Sequence, residues 1–189
     1  MCLDILKNPV SALEKAKKSK NTNKSIIVLA ESAILFALTS IVAIMKGTGF
    51  APASYSLVAV SAIIIFLVIL IFSMIIGYAM KIIVNILGGK GGYYEGLTAI
   101  SYSLMPVSVA VFVSSLLSLV TGGPIIGIIV LIIGFASGIS LLYRSIKELF
   151  KTDMLTAFIA VSVLILVLFV ASSISFGLSL FNLSALGGI

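Results

Sequence analysis

The sequence predicts an all-α fold, a polytopic membrane helix bundle with five transmembrane helices, the N-terminus inside and the C-terminus outside. Three observations carry that expectation. Mean hydropathy is +1.33, and hydrophobic residues fill 61% of the 189 positions, which leaves no room for a soluble domain of ordinary size. Five apolar runs, roughly Ser25–Met45, Ser54–Met80, Leu97–Val120, Ile125–Tyr143 and Met154–Leu178, each reach the ~20 residues that cross a hydrocarbon core. Threading the chain back and forth through these runs places 11 of its 12 Lys and Arg residues on one side, and cytoplasmic connections carry the Lys/Arg excess. Lys7, Lys15, Lys17, Lys18, Lys20 and Lys24 precede the first run; Lys81 and Lys90 follow the second; Arg144, Lys147 and Lys151 follow the fourth. Lys46 stands alone on the other side. The chain then divides into a cytoplasmic basic amphipathic segment (1–24), a five-span membrane domain (25–178) and a short external tail (179–189).

In the first segment Asn8 suits an N-cap and Pro9 the first helical position. Leu6, Val10 and Leu13 repeat at helical spacing among Glu14, Lys15, Lys17 and Lys18, the pattern of a short helix lying on the inner leaflet. The first span carries Glu31, the one carboxylate well inside an apolar run. Intramembrane acids are functional candidates by default. Glu31 nevertheless lies only two turns beyond Lys24, roughly 10 Å deep at 1.5 Å per residue, within reach of the interface. The outer turn Lys46–Ser54 is short and rich in Gly and Pro. Ser73 and Gly77 give the second span a small-xxx-small pair, which lets another helix approach closely.

Leu87-Gly88-Gly89-Lys90-Gly91-Gly92-Tyr93-Tyr94-Glu95-Gly96 is the least ordinary stretch. It lacks the G-x-x-x-x-G-K-[ST] pattern of a phosphate-cradling loop, because Gly91 follows Lys90. It reads as a tight turn, with Glu95 near a helix N-terminus where negative charge is favoured. Pro106 falls inside the third span. It removes an amide and crowds the carbonyl of Tyr102, so a kink is expected, with Ser101 and Ser103 close enough to serve freed backbone groups. In the fourth span Gly123, Gly127, Gly134 and Gly138 share one helix face and predict close packing against another helix. Ala110, Ser114 and Ser118 form a matching stripe in the third span. That pattern predicts the fourth span at the centre of the bundle. Thr152 and Asp153 can cap the fifth span.

Several chemistries are excluded by composition. The chain has no histidine and one cysteine, Cys2, so Ser–His and Cys–His dyads, imidazole relays, cysteine metal clusters and an intrachain disulfide are all absent. No cofactor, metal site or enzymatic activity is expected. With no tryptophan, Tyr78, Tyr93, Tyr94 and Tyr143 must supply the inner aromatic belt and Tyr55 the outer one. The net charge of +6 would suggest nucleic acid in a soluble protein. Here the cations edge the membrane, so Lys15, Lys17, Lys18, Lys20 and Lys24 point to anionic headgroups on the inner leaflet, at about 1 kcal/mol per cation near the surface.

The run Leu87–Pro106 resembles the signature of the Yip family, the Ypt-interacting-protein domain. Its members show a GG-x-G turn, an aromatic, an acid, then a helix with Tyr-Ser and Pro; the matching residues are Gly88, Gly89, Gly91, Tyr93, Glu95, Tyr102, Ser103 and Pro106. Asn8-Pro9 ahead of a basic helix and the five-span layout are similar too. Eukaryotic members are associated with Golgi and endoplasmic-reticulum traffic, Rab GTPase partners and membrane shaping. This chain lacks their Asp-Leu-Tyr-Gly-Pro motif and long N-terminal extension, and so looks like the compact prokaryotic type. The resemblance implies a non-enzymatic, multi-pass cell-membrane protein that organises the bilayer or binds a protein partner or a second copy of itself. The competing expectation is a small transporter or lipid-handling protein using Glu31 and the Pro106 kink.

Overall fold

The computed structural model describes residues 5, 8–19, 21–47, 55–120 and 122–169. Its helices are α1 (Pro9–Ser19), α2 (Thr22–Gly47), α3 (Tyr55–Ile86), α4 (Tyr93–Leu117), α5 (Gly123–Leu149) and α6 (Met154–Phe169); no strand occurs among the described residues. Four of them, α2 to α5, are long and apolar enough to cross a membrane. The described part of α6 is shorter. Cys2, Leu6, Lys7, Lys20, the turn 48–54, the far end of the fifth run and the tail 179–189 lie outside the described residues.

The helices outrun the apolar runs at their basic ends. Helix α3 continues through Lys81 to Ile86, about 48 Å at 1.5 Å per residue, more than a ~30 Å hydrocarbon core. Helix α4 begins at Tyr93 and not Leu97, so Glu95 sits in its first turn. Arg144 and Lys147 ride on the last turns of α5 and not in a loop, because Ile146, Leu149 and Phe150 are buried and hold those turns against the core.

The centre of the bundle is α4, not the glycine-faced α5. Helix α4 packs on α2, α3 and α5, and the α4–α5 pair is the most extensive. Helix α5 instead exposes Ile125, Ile126, Ile128, Ile129, Ile132 and Ile133, the face expected of a helix at the lipid boundary. The physical reason lies in polarity. Helix α4 carries Thr98, Ser101, Ser103 and Ser108, all buried, and a bilayer gives such hydroxyls no partner. Each bonds backwards to its own helix: Thr98 to the carbonyl of Tyr94 at 2.7 Å, Ser101 to Leu97 at 2.7 Å, Ser103 to Ile100 at 2.9 Å and Ser108 to Met105 at 2.9 Å. Ser101 and Ser103 thus donate to carbonyls other than that of Tyr102. Because Thr98 spends its proton on Tyr94, the 2.8 Å contact with Ser25 of α2 runs from the Ser25 hydroxyl to Thr98.

The glycine face meets α4 along its length. A Cβ built at Gly134 would overlap that of Ala110 and lie 3.3 Å from the Pro106 carbonyl oxygen; one at Gly138 would lie 3.0 Å from the Ser103 carbonyl oxygen, and one at Gly127 2.8 Å from Ser114 Oγ. At Gly123 the neighbour is the Leu117 carbonyl and not Ser118. A second close crossing joins α3 to α4, where Gly96 faces the Gly77 carbonyl beside buried Ser73.

Candidate functional site

The predicted residues converge most at the basic end of the bundle, where two connections lock together. Helix α3 ends in a Schellman motif: the Gly88 amide donates to the Asn85 carbonyl at 3.1 Å and the Gly89 amide to the Val84 carbonyl at 2.9 Å. Gly88 holds φ +88°, the left-handed conformation that this position needs and that glycine adopts without strain. Helix α5 ends in a related way. Its cap residue is Phe150, the Thr152 amide donates to the Lys147 carbonyl at 3.3 Å, and the left-handed position is held by Lys151 at φ +52°.

The two ends then dock. The Lys90 amide donates to the Phe150 carbonyl at 3.0 Å. Gly91 lies against the fully buried Phe150 ring, and a Cβ at Gly89 would meet Val84 and come within 2.7 Å of the Thr152 methyl. The Thr152 hydroxyl therefore turns inward, with no hydrogen-bond partner among the described residues. Capping of α6 falls to Asp153 alone, whose carboxylate accepts from the Leu155 and Thr156 amides at 3.2 and 3.4 Å. Hydrogen bonding with the Thr156 side chain first, and with backbone amides, holds the Asp153 carboxyl below its ordinary value of 3.8. Glu95 folds back to accept the Gly92 amide at 2.8 Å and so anchors the start of α4.

Helix α1 completes this end. Asn8 caps it, accepting the Ser11 amide at 3.4 Å. Its apolar face is covered by protein and not by a leaflet: Ala12, Leu13 and Ala16, together with Ile5 ahead of the helix, form a cluster with Val28, Tyr102, Met105 and Leu141. The polar face fastens it. The Tyr94 hydroxyl donates to the Ala16 carbonyl at 2.9 Å, and Lys17 pairs with Glu148 at 3.2 Å. Tyr94 is thereby a strut between α1 and α4, whereas Tyr78 and Tyr93 stay exposed, their rings 6.5 Å apart with the Lys81 ammonium 5.6 Å from the Tyr78 ring. Lys15, Lys18 and Lys24 point outward, and Lys17 is half-buried. Two clefts open here. One, of about 310 Å³, lies between α1, the end of α5 and the start of α6, and includes Glu14, Arg144, Lys147 and Tyr143. The other, of about 320 Å³, is lined by Lys17, Lys90, Tyr94, Glu95, Leu149 and Lys151.

The remaining candidates lie elsewhere. Tyr102, Ser103 and Pro106 are buried in the bundle, Tyr102 beneath α1 and the other two facing α5. Glu31 is half-buried on α2, while its neighbour Ser32 is fully buried and bonds Val28 and the Met105 sulfur. Sequence reasoning missed the Tyr94 strut and the backbone link between the loops. It also missed Lys46, whose ammonium reaches the Ser118 carbonyl at 2.8 Å and satisfies the negative end of α4. Among the described residues no group of acids, histidines or cysteines is arranged to hold a metal.

An all-helical bundle with four helices long and apolar enough to cross a membrane, close-packed on glycine and capped by interlocked connections, defines a multi-pass membrane protein. The family model described as Yip1 domain matches residues 3–174, and the chain belongs to that family. The match takes in α1 as well as the spans. No curated protein and no solved structure matches the chain.

Proposed function

We propose that this protein is a non-enzymatic scaffold of the cell membrane, threaded five times with its basic end in the cytoplasm, that organises anionic lipid or a protein partner at that end. The observation that carries the reading is the interlocking of the basic end. Two connections joined by Lys90 and Phe150, with α1 strapped across them by Tyr94 and Lys17, make a fixed charged surface. Fixed surfaces suit recognition, because little conformational freedom is lost on binding. Nothing at Pro106 favours a transport path, since its carbonyl packs on Gly134.

The test has two arms. Affinity capture of the full chain in mild detergent, with lipids and proteins identified together, is expected to recover anionic lipid or a defined partner. Glu31→Gln keeps shape while removing charge, so capture should persist. A pH-dependent flux in reconstituted vesicles that vanishes in Glu31→Gln, with the fold intact, would replace the scaffold with a transporter.

A further inference from the structure

The geometry points to a binding site for a dianionic phosphate group in the cleft lined by Lys17, Lys90, Lys151, Tyr94, Glu95 and Leu149. The inference rests on the reading of the basic end as a lipid-facing surface and assigns that surface a specific pocket. Three chain segments bring one lysine each to a single cleft: α1, the connection after α3, and the connection after α5. Lysines gathered so closely repel one another unless a counter-charge sits between them.

Among the described residues little of that counter-charge is supplied. Among the described residues Glu95 is the one acid lining the cleft, and one of its oxygens accepts the Gly92 amide. Lys17 is paired with Glu148 at 3.2 Å. No ion pair among the described residues involves Lys90 or Lys151. An excess of fixed cations therefore faces the cleft.

A second observation is independent of charge. Lys151 occupies the left-handed position that ends α5, where glycine or asparagine is the unstrained choice. A left-handed residue bearing a Cβ is strained, because the Cβ crowds the following carbonyl oxygen. Strain of that kind is retained where the side chain has work to do, and the Lys151 side chain lines this cleft. The backbone bond from Lys90 to the Phe150 carbonyl sets the two lysine-bearing turns side by side. The cleft volume of about 320 Å³ admits a phosphate and the first atoms of what it is attached to. A phosphomonoester carries a charge of about −1.5 to −2 at neutral pH and can be met by the ammonium groups of Lys90 and Lys151, the two cleft lysines with no ion pair among the described residues. Leu149 adds an apolar contact for a glycerol or acyl stem. The Tyr94 hydroxyl, already spent on Ala16, sets the separation of α1 and α4.

The same phosphate could arrive on a lipid headgroup or free in solution. The full-length protein is placed in nanodiscs of phosphatidylcholine alone, with a minor fraction of phosphatidic acid, with the same fraction of phosphatidylglycerol, or with inorganic phosphate added to the solution. Bound lipid is counted by native mass spectrometry and the unfolding midpoint is followed. Phosphatidic acid is expected to bind and raise the midpoint more than phosphatidylglycerol does. Lys90→Gln/Lys151→Gln is expected to weaken that binding about 30-fold, while Lys15→Gln/Lys18→Gln, with the same charge change on the exposed face of α1, leaves it within about twofold. An unchanged midpoint in phosphatidylcholine shows that the double variant folds; if it does not, Lys90→Gln alone carries the test, since the Lys90 amide bond is kept. Equal losses in both double variants would overturn the cleft and leave diffuse attraction to anionic lipid standing. No preference for either anionic lipid over phosphatidylcholine would overturn the cleft and the lipid-facing reading together. Inorganic phosphate that reproduces the effect of phosphatidic acid and displaces it would uphold the phosphate site and overturn its lipid source.

Discussion

The amide of Lys90 and the carbonyl of Phe150, 3.0 Å apart, join two connections that lie 60 positions from each other in the chain. Everything at the basic end is built around that bond. Gly88 and Gly89 turn the first connection, Lys151 turns the second, and the Phe150 ring fills the space that a side chain at Gly91 would need.

Gly91→Ala is accordingly expected to lower stability by about 1–3 kcal/mol, the usual cost of forcing a methyl group into a filled core. Gly47, with nothing within 4 Å of a Cβ, is the control: Gly47→Ala should be nearly silent. Thermal unfolding in a mild detergent compares the two.

Tyr94→Phe removes the hydrogen bond to Ala16 and leaves the ring in place. The expected loss is about 0.5–1.5 kcal/mol, felt mainly in α1. Amide exchange in α1 should quicken while exchange in the middle of α4 does not change. Unchanged exchange in α1 would mean that α1 is held by its apolar face alone.

The α4–α5 interface predicts a graded series. Gly134→Leu must displace Ala110 and the backbone at Pro106, so it should prevent close helix approach and cost at least as much as Gly91→Ala. Gly127→Leu meets the Ser114 side chain first, which can rotate, and should cost less. Ile128→Leu on the exposed face should leave the unfolding midpoint unchanged.

Asp153 supplies a pH dependence with a definite sign. Its carboxyl is held below its ordinary value of 3.8. Its contribution is therefore complete above that value and is lost as the pH falls through the lower, folded value. Asp153→Asn retains an acceptor for the first turn of α6 and does not titrate, so its unfolding midpoint should fall less steeply on acidification than that of the parent.

Topology is checked by reporter fusions. Fusions at Asn23, Gly91 and Lys147 should read cytoplasmic, and fusions at Gly49 and Gly187 external. A cytoplasmic signal at Gly187 would remove the fifth crossing.

Much of this fold is legible in the sequence because a bilayer leaves few choices. Apolar length marks α2 to α5, and Asn8-Pro9 and Asp153 mark helix starts through their capping chemistry. The spacing of Gly127, Gly134 and Gly138 marks the face that meets α4. What sequence periodicity does not contain is the partner of each face. The stripe of Val10 and Leu13 fits a leaflet or a groove equally well, and it is the buried contact of Leu13 with the Tyr102 cluster that decides. The position of α4 was hidden for the same reason. Small residues on α5 show that something approaches closely, but only the hydroxyls of α4, each needing shelter from hydrocarbon, show which helix is enclosed. Lys46 illustrates a third limit: charge counting places it at the outer edge, but its bond to Ser118 depends on where α4 ends.

The seclusion of α4 also bears on how the protein is made. It is the least hydropathic of the four long helices and the most buried, and its neighbour α5 is translated only after it. A nascent α4 therefore enters the membrane before the glycine face that will cover it exists. Until α5 arrives, its serines and Tyr102 need temporary shelter, either against α2 and α3 or at the insertion machinery. Assembly of the bundle is in that sense ordered, with the third span waiting on the fourth.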